Sequence, residues 1–141
     1  MEHDKALGLL SLARKAGRIE VGEAPVNIAV RAGKARLVLV AQDASDHTLR
    51  KTRNLVAGTK HPLLKVPYGK DTLGNTVGYS AISVCALTDS ALALNFVRAL
   101  DPEVQDAALI EALQERAEKV RRRQAEQKAH RANVRRGKKK S

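Results

Sequence analysis

The segment AGKARLVLVAQDAS, residues 32–45, holds an unbroken apolar run, Leu37 to Ala41, between a glycine flanked by cations and an acid followed by a serine. A run this short with no polar alternate position reads as a strand covered on both faces, because a strand open to water on one side would alternate. Gly33 marks the end of a helix before it, and Ser45 or Asp46 caps a helix after it. A doubly covered strand between two helices belongs to an α/β protein.

The flanks repeat that grammar. In HDKALGLLSLARKAG the residues Ala6, Leu9, Leu10, Ala13 and Ala16 share one helical face, with Asp4 as cap and Gly17 as stop. Arg18 to Val21 reads as a short strand. Gly22 opens a second helix reaching about Ala32, with Val26, Ala29 and Val30 inward and Pro25 in the first turn, where proline costs no intrahelical bond. A third helix ends near Gly58, and PLLKVPY is a strand bounded by Pro62 and Pro67. KDTLGNTVG is a short helix whose end is marked by Gly74 and Gly78. AISVCALT is another buried strand, and DSALALNFVRAL a helix capped by Asp89 or Ser90. The pattern predicts a three-layer α/β/α sandwich around a mixed four-stranded sheet, residues 1–100, followed by a long C-terminal basic helix and tail, residues 101–141.

That final segment differs in kind. Asp101 caps, Pro102 takes the first helical position, and Val104, Ala108, Leu109, Ala112, Leu113 and Val120 supply a partial apolar stripe. The spacing predicts a helix from 102 to about 121, then fraying and disorder through RRGKKKS.

Charge follows the same division. The 141 residues carry a formal +11, but residues 1–118 hold 15 Lys and Arg against 14 Asp and Glu, whereas residues 119–141 hold 11 against 1. Ten net charges on 23 residues repel one another unless a polyanion is near. The phosphate-binding candidates of the tail are Lys119, Arg121, Arg122, Arg123, Lys128, Arg131, Arg135, Arg136, Lys138, Lys139 and Lys140. A basic rim adds Arg14, Lys15, Arg18, Arg31, Lys34 and Arg36, joined by Arg50, Lys51 and Arg53 on the third helix.

Several chemistries lack their residues. The Gly-Lys pairs of AGKA and YGKD have neither the upstream glycine nor the following Ser or Thr of a phosphate loop, and no dinucleotide fingerprint occurs. Cys85 is the one cysteine and reads as a small buried residue. His3 and Asp4 have no further matched metal ligands, His47, His61 and His130 are scattered, and Asp43 and Asp46 read as caps rather than a catalytic pair. With Tyr68, Tyr79 and Phe96 the only aromatics, base stacking on a sheet surface is nearly excluded. The expectation is a soluble, cytoplasmic, monomeric protein, not an enzyme, with no cofactor, metal, membrane or small-molecule substrate.

The series LGLLSLARKAGRIEVGEAPVNIAVRAGKARLVLVAQDAS (7–45), with LGNTVG (73–78) and SVCALTD (83–89), resembles the ribosomal protein L7Ae family, and within it the small bacterial members of the YlxQ type. The resemblance spans roughly residues 4–100. It implies binding to structured RNA, ribosomal RNA or the ribosome, at kink-turns or similar sharp bends. The start of the second helix would enter the widened groove, and the loop before the fourth strand would pack on a flipped-out nucleotide. Carried onto this chain, the contacts are Gly22, Glu23, Ala24 and Asn27, then Val77, Tyr79, Ser80 and Ile82. The base-reading Asn, Glu and Lys of the family fall on Ala24, Pro25 and Ile28, which cannot make those hydrogen bonds, and Glu23 adds an acid. Base contacts of that kind are worth roughly 1–3 kcal/mol each. The alternative is a protein-interaction scaffold of the same fold that has lost kink-turn recognition.

Overall fold

The structure, a computed structural model, describes the backbone of residues 4–140 and the side chains of residues 4–134. In chain order the elements are α1 (Lys5–Lys15), β1 (Ile19–Val21), α2 (Glu23–Arg31), β2 (Leu37–Val40), α3 (Asp46–Val56), β3 (Leu63–Lys65), α4 (Lys70–Val77), β4 (Val84–Leu87), α5 (Ser90–Ala99) and α6 (Ala107–Lys140).

The apolar run of β2 lies at the centre. The sheet order is β1-β4-β2-β3, with β4 antiparallel to both β1 and β2, and β3 parallel to β2. Every residue of β2 and β4 is buried. Leu37, Leu39, Cys85 and Leu87 point into one core with α1, α4 and α5; Val38, Val40, Val84 and Ala86 point into a second core with α2 and α3. The pleat thus shares one apolar run between two cores, which makes three layers. Burial pushes the Cys85 thiol up to about 12, so it stays protonated and packs as a small hydrophobe.

Local chemistry sets the ends of the elements. Asp4 accepts from the Leu7 amide at the start of α1, and both of its oxygens also accept from the Tyr68 hydroxyl, at 3.0 and 2.9 Å. The Ser45 hydroxyl caps α3 and the Asp89 carboxylate caps α5. Asp43 is a cap at long range, accepting from the Lys70 amide at 2.8 Å where α4 begins. Gly22, at φ 97° and ψ 164°, holds a conformation almost reserved for glycine at the turn from β1 into α2.

Four expectations are corrected. Ala16 is exposed, because it is the C-terminal cap of α1 and the chain leaves the core there. Gly74 does not end its helix: it lies buried inside α4, where an added Cβ would come within 2.7–2.8 Å of the Ser80 and Ala81 backbone, so the returning chain requires a glycine. The last helix starts at Ala107 rather than 102. Asp101 to Val104 instead form a turn, with the Val104 amide donating to the Asp101 carbonyl and Pro102 at the second position. Gln105 then donates to the Leu100 and Arg98 carbonyls, closing the open end of α5, and Asp106 caps α6 through the Ala108 and Leu109 amides.

Nor does α6 stop near 121. Its first part is seated on the sandwich through Leu113, which is buried in the larger core, with Leu109, Ile110 and Ala117 packed beside it. Beyond Val120 it runs on as helix to Lys140, with residues 121–134 exposed. From Arg121 to Ala129 an unbroken run of Ala, Glu, Gln, Lys and Arg supplies helix propensity in place of packing.

Gly74→Ala should lower the unfolding free energy by about 1–3 kcal/mol through overpacking, although alanine in a helix is otherwise favoured by about 1 kcal/mol. Urea denaturation followed by far-UV circular dichroism measures the sign, and a more stable variant would refute the close approach.

Candidate nucleic-acid interface

The sheet register determines which candidate residues can act together. Val21 is paired with Cys85, and the Gly22 amide donates to the Val84 carbonyl at 3.0 Å, so the start of α2 lies beside the start of β4. The Ile82 amide donates to the Lys70 carbonyl and the Ala41 amide to the Ser83 carbonyl, bringing the 78–83 loop to that same end of the sheet. Gly22, Glu23, Ala24 and Asn27 therefore share a neighbourhood with Tyr79 and Ser80.

Within the loop only part of the expected surface faces outward. Val77 and Ile82 are core residues, Val77 as the last turn of α4 and Ile82 at the entry to β4, so neither side chain is available to a nucleotide. Tyr79 and Ser80 are exposed. The Arg14 guanidinium lies over the Tyr79 ring, 5.2 Å from its centre, tying the last turn of α1 to this loop.

At the helix start, Gly22 uses its amide on β4 and Pro25 has none, which leaves the Glu23 and Ala24 amides as the donors of that turn. The Glu23 carboxylate is turned toward α3: Lys51 Nζ lies 3.6 Å from it and the Thr48 hydroxyl donates to it at 3.5 Å. Its charge is partly met there rather than projected at a ligand. Ile28, where the resemblance places a lysine, is 69% exposed, and Ala24 and Pro25 complete an apolar start to the helix.

The basic rim is divided by the same register. Arg31 ends α2, Lys34 and Arg36 precede β2, and Arg18 precedes β1, so all four stand at the opposite end of the sheet. The nine residues of α2 separate the two ends by about 13 Å. Lys15, in the last turn of α1, leads toward Arg18. Arg36 donates to the Gly33 carbonyl at 3.0 Å, closing the end of α2. Arg50, Lys51 and Arg53 are exposed on α3.

The side chains of Lys119, Arg121, Arg122, Arg123, Lys128 and Arg131 are exposed on α6, whereas those of Arg135, Arg136, Lys138, Lys139 and Lys140 lie outside the described residues, as does His3. Sequence reading missed Lys60 and Arg116. No local signal sets them apart, one being in a loop and the other in the acidic half of the last helix: the approach of the chain before β3 to that before β2, with the His61 ring 2.7 Å from the Ala35 carbonyl, places Lys60, and the seating of α6 brings Arg116 beside it. Desolvation lowers the pKa of Arg116, and the neighbouring Arg36 charge lowers it further. Among the described residues, no three or more His, Cys, Asp or Glu are grouped to hold a metal, and no helix is long and apolar enough to cross a membrane.

The family model described as Ribosomal protein L7Ae/L30e/S12e/Gadd45 family matches residues 4–93. The chain is 36% identical over 93 residues to the RNA-binding protein YlxQ of Bacillus subtilis (strain 168), an alignment covering 66% of this chain and 92% of that protein. It is 40% identical over 50 residues to the RNA-binding protein YlxQ of Enterococcus faecium, covering 36% and 48%. Among solved structures, a protein of unknown function from Bacillus halodurans C aligns with TM-score 0.63 at 28% identity, over 77% of this chain and 99% of that one. The Giardia lamblia 15.5kD RNA binding protein aligns with TM-score 0.54 at 19% identity, over 86% and 92%, a likeness of fold alone. The family match ends before α6 begins.

The Arg14–Tyr79 stack is exposed, and a double-mutant cycle of Arg14→Ala and Tyr79→Ala should return a coupling of about 0.5–1 kcal/mol in unfolding free energy. A coupling of zero would show that the two side chains meet without stabilising the loop.

Proposed function

The chain belongs to the Ribosomal protein L7Ae/L30e/S12e/Gadd45 family, and on that premise we propose that it is a non-catalytic, cytoplasmic RNA-binding protein whose partner is structured RNA, ribosomal RNA or the ribosome. The observation that carries this reading is the projecting half of α6. From Arg121 to Arg131 cations point to every side of an exposed helix that has no apolar stripe to offer a protein groove. The sandwich supplies the choice of RNA and the helix supplies affinity. The relatives named as RNA-binding proteins support the same reading, as does the meeting of the α2 start with the 79–80 loop.

A helix neutralising about 5 phosphates makes log affinity fall against log salt with a slope of about −4 to −5. Removing residues 119–141 should flatten that slope while leaving any preference among structured RNAs intact, as read by fluorescence anisotropy titrations between about 50 and 200 mM salt. An unchanged slope would remove the helix from the account.

A second reading, a partner-binding scaffold, is favoured by the apolar surface of Ala24, Pro25 and Ile28 where polar readers are expected. The two readings separate on one variant. Ala24→Asn, Pro25→Glu and Ile28→Lys together should raise affinity for a kink-turn RNA at least tenfold if the α2 start faces RNA, since base contacts are worth roughly 1–3 kcal/mol each. No gain in kink-turn affinity, with the fold intact by circular dichroism, would favour the scaffold.

A further inference from the structure

At the end of the sheet away from the α2 start, Lys60 and Pro62 lead into β3, and α6 crosses in front of them. Together they line a surface notch of about 230 Å³, with Glu115, Arg116 and Lys119 on the helix side and Leu113 as its floor. Three of these groups are cationic and one is acidic. Arg36, which enters β2 beside Pro62, adds a fourth cation, close enough to Arg116 for the two charges to repel. Among the described residues the one ion pair joins Lys51 and Glu23, so none of their carboxylates lies within ion-pair distance of Lys60, Arg116, Lys119 or Arg36.

Like charges brought together on a packed surface carry a repulsive cost that a bound anion removes. The notch is open, with Pro62, Ala112 and Leu113 at its base and the cations on its rim, so the groups that can meet a ligand from solvent are those that pair with an oxyanion. It also opens directly onto Lys119 and the basic run of α6, so an anion here would be continuous with a chain of anions along that helix.

We propose that Lys60, Arg116, Lys119 and Arg36 form a second contact for the phosphodiester backbone of RNA, at the opposite end of the sheet from the α2 start, where a strand of the RNA passes from the sandwich onto α6. This rests on the RNA-binding reading and deepens it: the RNA is held along the domain rather than at one end. Arg36 has a fixed position because it also closes α2 through the Gly33 carbonyl at 3.0 Å, and Arg116 is fixed by the seating of α6, so this part of the contact is preformed.

The test compares two full-length variants of equal net charge. Lys60→Ala, Arg116→Ala and Lys119→Ala empty the notch, whereas Lys5→Ala, Lys65→Ala and Arg98→Ala remove three exposed cations elsewhere. Each is titrated against a fluorescently labelled RNA hairpin with an internal loop, from about 50 to 200 mM salt, and circular dichroism verifies the fold. The notch variant should lose about one to two units of salt slope and tenfold or more in affinity, with the control variant close to the unsubstituted protein. Equal slopes in the two variants overturn the notch alone. No binding by the unsubstituted protein at any salt overturns the RNA reading and the notch with it. Because Arg116 packs against the sandwich, Lys60→Glu with Lys119→Glu serves as a second variant outside the core, and it should lose at least as much slope.

Discussion

The antiparallel pairing of β2 with β4 is the constraint from which the rest follows. Both strands are apolar at every position, so neither face of the pair can meet water, and a helical layer is required on each side. The side chains alternate between the layers, which gives two cores from one sheet. The turns into these strands must be short, and Gly22 takes a backbone shape that other residues avoid so that α2 can begin beside Val84. Gly74 answers the same demand on the other layer, letting the chain return closely enough to enter β4.

This arrangement also sorts charge in space. A sandwich with strands of three or four residues is thin along the strand direction, so its two ends are separate surfaces with different chemistry. One end presents the α2 start, with few free amides, an apolar rim and an acid occupied by α3. The other gathers Arg18, Lys34 and Arg36, and α6 adds Arg116 and Lys119 there. A folded part that is almost neutral in sum is therefore not neutral in distribution. The projecting half of α6 extends the cationic end beyond the sandwich.

Most of the fold was legible because the signals were local. Asp4, Ser45 and Asp89 cap the helices they precede, and the inward set of α2 is the one its spacing predicts. Errors fell where a distant partner decided the outcome. Gly74 looks like a helix stop until the 80–81 backbone is placed against it, and Asp101-Pro102 looks like a helix start until Gln105 is seen to close α5. The candidate site was less legible for the same reason. The resemblance places Val77 and Ile82 on a nucleotide although both belong to the core by packing, and the approach of Arg36 to Arg116 spans two elements that share no sequence signal.

By itself the sequence determined the periods, the caps, the glycine turns and the segregation of cations toward the C-terminus, since these depend on residues within a few positions of one another. Only the tertiary structure decided which end of the sheet each cation occupies, which loop residues remain outside, and where the last helix is seated. Those outcomes depend on strand register and on the docking of Leu113, and contacts between residues far apart in the chain leave no periodic trace in it.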